Sequence, residues 1–330
     1  MRLFLLRRTL WAVFLCFVVT VLVFLIFFTI PADPSRFLLP EQNPSPQRIA
    51  AARAKLGVDK PLIVQYGKFV GRLAHGDLGN SYQSRPGSEV SVNRLIQRAA
   101  PVTASVLGGA MVLWLLIAVP LGVWSALRPR GLVDRFGTVF VLIGISAPPF
   151  VVALLLRQFF AFRWPVLPFG GYCPLRATAE SRCGGFVDWS EHLLLPWAAF
   201  VLLYAALYTR ILRASVAETL HFDFVRTARA KGAGEIRVLR SHVLRNSLLT
   251  VVTMLGMDFA LAVGNAIYIE PVFGLPGLGG VAVGALRSGS GYDLPTILGI
   301  TLTVSFAVIV LNLVVDILYS FLDPRIRVTA

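Results

Sequence analysis

The chain has 330 residues, of which 56% are hydrophobic, with a mean hydropathy of +0.73. A soluble domain of this length has too little interior to hide so much apolar surface. The net charge of +14 is spread among short segments rather than gathered in one stripe, which argues against nucleic acid as the partner.

In chain order, six windows are apolar over about 20 residues, the length a helix needs to cross a bilayer. They are residues 9–30, 102–127, 136–162, 193–212, 248–269 and 294–318. Hydrocarbon offers the backbone no hydrogen-bond partners, so such runs are helices. The pattern predicts an all-α membrane protein with six transmembrane helices. The first window follows Arg7-Arg8, as a secretory signal would. It is long for such a signal, and Ile30-Pro31-Ala32-Asp33 is a poor cleavage site, so a retained anchor over residues 1–30 is expected.

Residues 31–100 are punctuated like soluble helices. Ser45 and Pro46 suit a helix start and Gly57 a stop. Amphipathic stretches follow at 61–73 and 90–99, separated by a turn-rich segment from His75 to Ser81. The expectation is a small extracytoplasmic cap of helices. The third window contains Pro148-Pro149, which breaks a helix. Such a break serves either as a structural kink or as a lining of the pathway.

Cys173 and Cys183 lie in one loop with nine residues between them. On an oxidising face they suit a disulfide; two unpaired thiols are the alternative. Neither a histidine between them nor a second Cys pair supports a metal site. Cys16 reads as a small core residue.

With the N-terminus on the cytoplasmic side, the inner segments carry Arg2, Arg7 and Arg8, then Arg128, Arg130 and Arg135, and finally Arg325 and Arg327. The inner loop adds eight Lys/Arg from Arg210 to Arg245. The short outer loops hold only Arg163, Arg176 and Arg182 in one and Arg287 in the other. That asymmetry sets the topology and places both termini inside.

The inner loop, residues 213–246, divides into two helices in this reading. Leu220, Phe224 and Ala228 recur every four residues, and Gly232 and Gly234 end the first helix. The second, 235–244, places Ile236, Leu239 and Val243 on one face. A basic amphipathic loop suits an anionic lipid surface. The close pair Phe222 and Phe224 equally suits a groove on a protein partner.

Within the spans, Asp258 and Asn265 are seven residues apart and share a helix face. Groups of this kind line a cavity or an interface, or pair for packing. They are candidates for the passage or a permease interface, together with Pro148 and Pro149. Arg157 is expected to snorkel outward and Asp316 to pair near the inner interface.

Several motifs in order resemble one family. They are Leu56-Gly57-Val58-Asp59-Lys60-Pro61-Leu62 with Gln65-Tyr66, Gly76-Asp77-Leu78-Gly79-Asn80-Ser81, and Phe224-Val225-Arg226-Thr227-Ala228-Arg229-Ala230-Lys231-Gly232. After these come His242-Val243-Leu244-Arg245-Asn246, Glu270-Pro271-Val272-Phe273-Gly274-Leu275-Pro276-Gly277-Leu278-Gly279 and Leu322-Asp323-Pro324-Arg325-Ile326-Arg327. Together they resemble the B-type inner-membrane permease subunits of dipeptide, oligopeptide and nickel ABC importers. The inner loop resembles the family's coupling motif, with Arg226-Thr227-Ala228 at its Glu-Ala-Ala triplet and Gly232 at its glycine. The acidic residue and the terminal proline of that motif are absent here.

The resemblance implies a type I ABC importer permease fold in the bacterial inner membrane. Its permease core would be residues 101–318, and residues 319–330 a cytoplasmic tail. It implies that Phe222, Phe224, Arg226, Thr227, Ala228, Arg229, Ala230, Lys231 and Gly232 couple to an ATPase. Implied partners are a homologous second permease, two cytoplasmic ATPases and an extracytoplasmic binding protein. The chain has no Gly-x-x-x-x-Gly-Lys-Ser/Thr loop, so ATP and Mg are expected in the ATPases and no cofactor here. Nickel chelates are the alternative cargo. An ion-driven transporter would call for an inverted repeat, and none is evident. An enzyme would call for a catalytic cluster, whereas His75, His192, His221 and His242 are scattered.

Overall fold

The computed structural model describes residues 2–29, 45–47, 61–81, 90–176, 183–287 and 292–322. The helix expected from Ser45 to Gly57 and the tail beyond Leu322 fall largely outside them. The helices are α1 (Arg2–Thr29), α2 (Leu62–Ala74), α3 (Val92–Leu127), α4 (Leu132–Ser146), α5 (Pro149–Arg157), α6 (Phe186–Thr219), α7 (Asp223–Ala230), α8 (Glu235–Val238), α9 (Arg245–Val272), α10 (Leu278–Leu286) and α11 (Leu294–Leu322). Single π-turns extend α5 (Gln158–Arg163) and join α8 to α9 (Leu239–Leu244).

Five helical runs are individually long and apolar enough to cross a membrane: Leu6–Phe27, Val92–Leu127, Phe186–Thr219, Glu235–Val272 and Leu294–Ile317. The remaining apolar window is helical but broken. Ala147 is extended (φ −126°, ψ 139°) because the residue before a proline is pushed out of the helical region, and Pro149 opens α5 at its first turn. The stretch 90–99 leads into the second span as the start of α3, whereas one expectation needs correction: 235–244 is no separate helix but runs through a π-turn into α9. Arginines mark these stretches as polar, yet polarity does not end a helix, and nothing in them removes enough backbone bonds to do so.

The chain forms two compact units. One comprises Leu6–Thr103 and Pro276–Val310. In it Val23 and Phe24 of α1, Phe69 of α2 and Leu298 and Leu302 of α11 make a buried core. Tyr66 shares a hydrogen bond of 3.0 Å with Thr20. The turn after α2 is pinned by side chains. Asp77 Oδ1 accepts from the Gly79 amide at 2.9 Å, and Asn93 Oδ1 from the Leu78 amide at 3.0 Å. Ser81 and Thr296 both donate to the buried Asp293. The Gly76–Ser81 motif of the resemblance therefore forms a closed turn.

The other unit comprises Met1–Leu5, Ala104–Leu275 and Leu311–Ala330. Its hub is α6, against which α4, α5 and α9 pack. Leu193, Phe200, Ala205, Tyr208 and Leu212 of α6 are all but fully buried. The α4–α6 approach is close. A Cβ on Gly144 would stand 2.2 Å from the Leu202 carbonyl oxygen, so only glycine fits there. Asp134, buried in the first turn of α4, forms a two-pronged ion pair with Arg213 of α6, at 2.8 and 3.0 Å.

Candidate functional site

The elbow between α6 and α9 is built from its base. Thr219, the last residue of α6, donates to the Ser215 carbonyl at 2.7 Å. Its hydroxyl oxygen accepts from Ser247 at 3.2 Å and from Asn246 at 3.4 Å, both in the first turn of α9. Thr219 and Ser247 are buried, so this clasp ties the two ends of the loop together. From it the chain turns and enters α7.

One residue roots α7. Val225 is fully buried, as are Val238 and Val243 on the returning arm. The expected stripe Leu220–Phe224–Ala228 is therefore corrected. Leu220 lies in the turn before α7, and Val225 with the half-buried Ala228 forms the inner face. Ile236 of the second predicted stripe is 71% exposed. Sequence periodicity alone missed this because α7 starts only at Asp223, too late to include Leu220.

The end of α7 is a Schellman closure: the Gly232 amide bonds the Arg229 carbonyl at 2.9 Å and the Ala233 amide that of Ala228 at 3.1 Å. Gly232 sits at φ +79°, the left-handed region glycine tolerates. Across this turn Arg229 grips Glu235 by two bonds, Nε to Oε1 at 2.9 Å and Nη2 to Oε2 at 3.1 Å. Arg226 stands 3.9 Å from Asp223 with both side chains in the open, an ion pair of little energy. Thr227 bonds back to the Asp223 carbonyl at 2.8 Å.

What the elbow presents outward is apolar and basic together. Phe222 and Phe224 are each 40% exposed, their rings 5.7 Å apart. Near them are the exposed Arg226, Ala230, Lys231 and Ile236. Of the residues expected to couple, Ala228 faces inward, Arg229 is committed to Glu235, and the others lie on or beside the open face.

Asp258 and Asn265 share one face of α9, as their spacing predicts, and that face turns toward α6. Asn265 donates to the Tyr204 hydroxyl at 3.4 Å, and Tyr204 stacks on Trp114 with centroids 4.7 Å apart. Asp258 is buried. About a quarter-turn round the helix from that face runs an open stripe of Thr250, Thr253, Met257, Leu261, Gly264 and Tyr268. Pro148 is exposed and Pro149 half-buried at the break between α4 and α5.

Cys173 and Cys183 are joined by a disulfide, Cα to Cα 5.6 Å. Its loop docks on the Glu270–Leu275 segment through the Gly171 amide and the Phe273 carbonyl, 2.9 Å apart. Arg157 lies over the rings of Phe162 and Phe169, at 5.4 and 5.8 Å. Asp316 is half-buried. Among the described residues no cluster of His, Cys, Asp or Glu could hold a metal ion.

Five helices long and apolar enough to cross a membrane, with a clasped elbow between α6 and α9, mark a multi-pass membrane protein. The chain belongs to the family of binding-protein-dependent transport system inner membrane components, whose description matches residues 118–328, with the N-terminal part of that system's membrane component matching residues 1–107. It is 37% identical over 325 residues to a putative peptide permease protein of Brucella suis biovar 1 (strain 1330), covering 98% of each chain. To a probable peptide ABC transporter permease protein of Sinorhizobium fredii it is 32% identical over 327 residues, 99% of this chain and 100% of that one. To the dipeptide transport system permease protein of Escherichia coli (strain K12) it is 33% identical over 326 residues, 94% of each.

Proposed function

We propose that this chain is the permease subunit of an ATP-driven peptide importer and that its elbow is the part that receives force. Relatives named for peptide transport over their full length support peptides, rather than nickel chelates, as cargo. An external binding protein delivers the peptide. A homologous second permease completes the passage, and two cytoplasmic ATPases supply ATP and Mg chemistry that this chain does not perform. Both termini are cytoplasmic, in accord with the arginine asymmetry.

One observation carries this reading. An exposed aromatic pair on a helix rooted by Val225 and clasped at Thr219 is costly in water and suited to a partner's groove. The clasp makes the elbow one body with the ends of α6 and α9. A push on Phe222 and Phe224 is then passed to both spans instead of being absorbed by a loose loop.

Exchanging the exposed Phe222 and Phe224 together for Asp tests it in membranes holding the assembled importer. The expected outcome is an inserted permease that no longer retains the ATPases on purification, with ATP-dependent peptide uptake lost. Normal retention and uptake would refute the coupling role.

A further inference from the structure

Two open apolar depressions of about 460 and 450 Å³ share Val119 and Leu244 and so form one groove between the last turns of α3 and the start of α9. Its walls are aliphatic, with Leu248 deeper in and Trp124 at the rim. Three arginines stand at the mouth on the elbow's side: Arg128, Arg240 and Arg245. All three are exposed, and none has a carboxylate partner among the described residues. No acidic residue lines either depression.

The π-turn from Leu239 to Leu244 accounts for the convergence. In an ordinary α-helix, residues five apart point well away from one another. A π-turn bonds residue i to i+5 and widens the coil, so Arg240 and Arg245 come round to the same groove. Such turns are rare and concentrate at functional positions.

We propose that this groove binds one anionic phospholipid, with an acyl chain along Val119, Leu244 and Leu248 and the phosphate held by Arg128, Arg240 and Arg245. Charge complementarity selects the occupant. A neutral lipid or a bare helix leaves three guanidinium groups unmatched, and a free phosphate leaves the apolar trough empty. Guanidinium forks suit phosphate oxygens, and basic pockets between spans on the basic side of a bilayer recognise anionic headgroups. The lipid would lie directly behind the clasp at Ser247, where the elbow enters the membrane.

The test uses the assembled importer in nanodiscs of phosphatidylglycerol or of phosphatidylcholine alone, read by native mass spectrometry after detergent release. Wild type is expected to retain phosphatidylglycerol and no phosphatidylcholine. The triple variant Arg128→Gln, Arg240→Gln, Arg245→Gln is expected to hold it on the order of 100-fold more weakly, from three lost basic groups. Leu248→Trp, which fills the trough and keeps the arginines, is expected to lose it as well. Retention unchanged in either variant overturns the assignment. So does Leu248→Cys cross-linking to the second permease in native membranes, which would make a protein the occupant. Equal unfolding temperatures of the variants and wild type confirm that any loss is one of binding.

Discussion

Gly232 and Gly234 lie two residues apart on the elbow yet do different work. Gly232 holds φ +79° to close α7, whereas Gly234 holds φ −65° and ψ 149°, an extended conformation open to any residue. A Cβ would meet nothing within 4 Å at either position, so only the backbone distinguishes them. Gly232→Ala is expected to cost about 1–2 kcal/mol by forcing an L-residue into the left-handed region. Gly234→Ala should be neutral or stabilise by about 0.4–1 kcal/mol through the unfolded chain. Thermal unfolding of the two purified variants checks this; equal losses would mean that the turn is not built as described. At this scale the sequence marks the glycines as stops but does not say which one is irreplaceable, because φ depends on the closure around it.

At the scale of elements, the clasp between α6 and α9 is the least legible feature. Thr219 and Ser247 are 28 positions apart, and their meeting depends on how the loop folds back. Thr219→Val keeps the shape but leaves the buried Ser247 hydroxyl without its acceptor, at a cost of about 1–3 kcal/mol. Thr219→Ser keeps the hydroxyl and is expected to retain stability and ATPase-driven uptake. Comparing the two in unfolding and uptake assays separates the bond from the side chain's bulk; identical behaviour would rule out the clasp. The break between α4 and α5 was by contrast readable, since Pro148-Pro149 admits no continuous helix. The joining of 235–244 to α9 was not, because Arg237, Arg240 and Arg245 mark that helix as separate from the apolar span while a helix carries charge readily on an open side. Asp134 and Arg213 escaped notice for a similar reason. They are 79 positions apart, and no local pattern pairs them.

For the whole molecule, the six apolar windows suffice to read a polytopic helical protein, but hydropathy alone does not say which side of each span meets lipid, protein or passage. α9 shows why. Its polar landmarks Asp258 and Asn265 draw the eye, yet both turn inward to α6, where Tyr204 meets Asn265. A stripe about a quarter-turn away is exposed over the length of the span, with Met257 at 70%, Leu261 at 63% and Tyr268 at 64%. Thr250, Thr253 and Gly264 interrupt it. A face given to lipid would be evenly apolar, whereas small and hydroxylated residues among large ones suit close helix packing or a wet passage. That stripe, rather than the Asp258 face, is therefore expected to meet the second permease or the cargo route. Cysteines placed singly at Met257, Leu261 and Gly264 should cross-link to cysteines on the second permease in native membranes, and a cysteine at Ala262, buried beside the stripe, should not. Replacing Gly264 by Leu should reduce uptake while insertion persists, since the added side chain occupies the approach. Cross-linking absent along the stripe, with Leu tolerated at Gly264, would assign this face to lipid and place the passage elsewhere in the bundle.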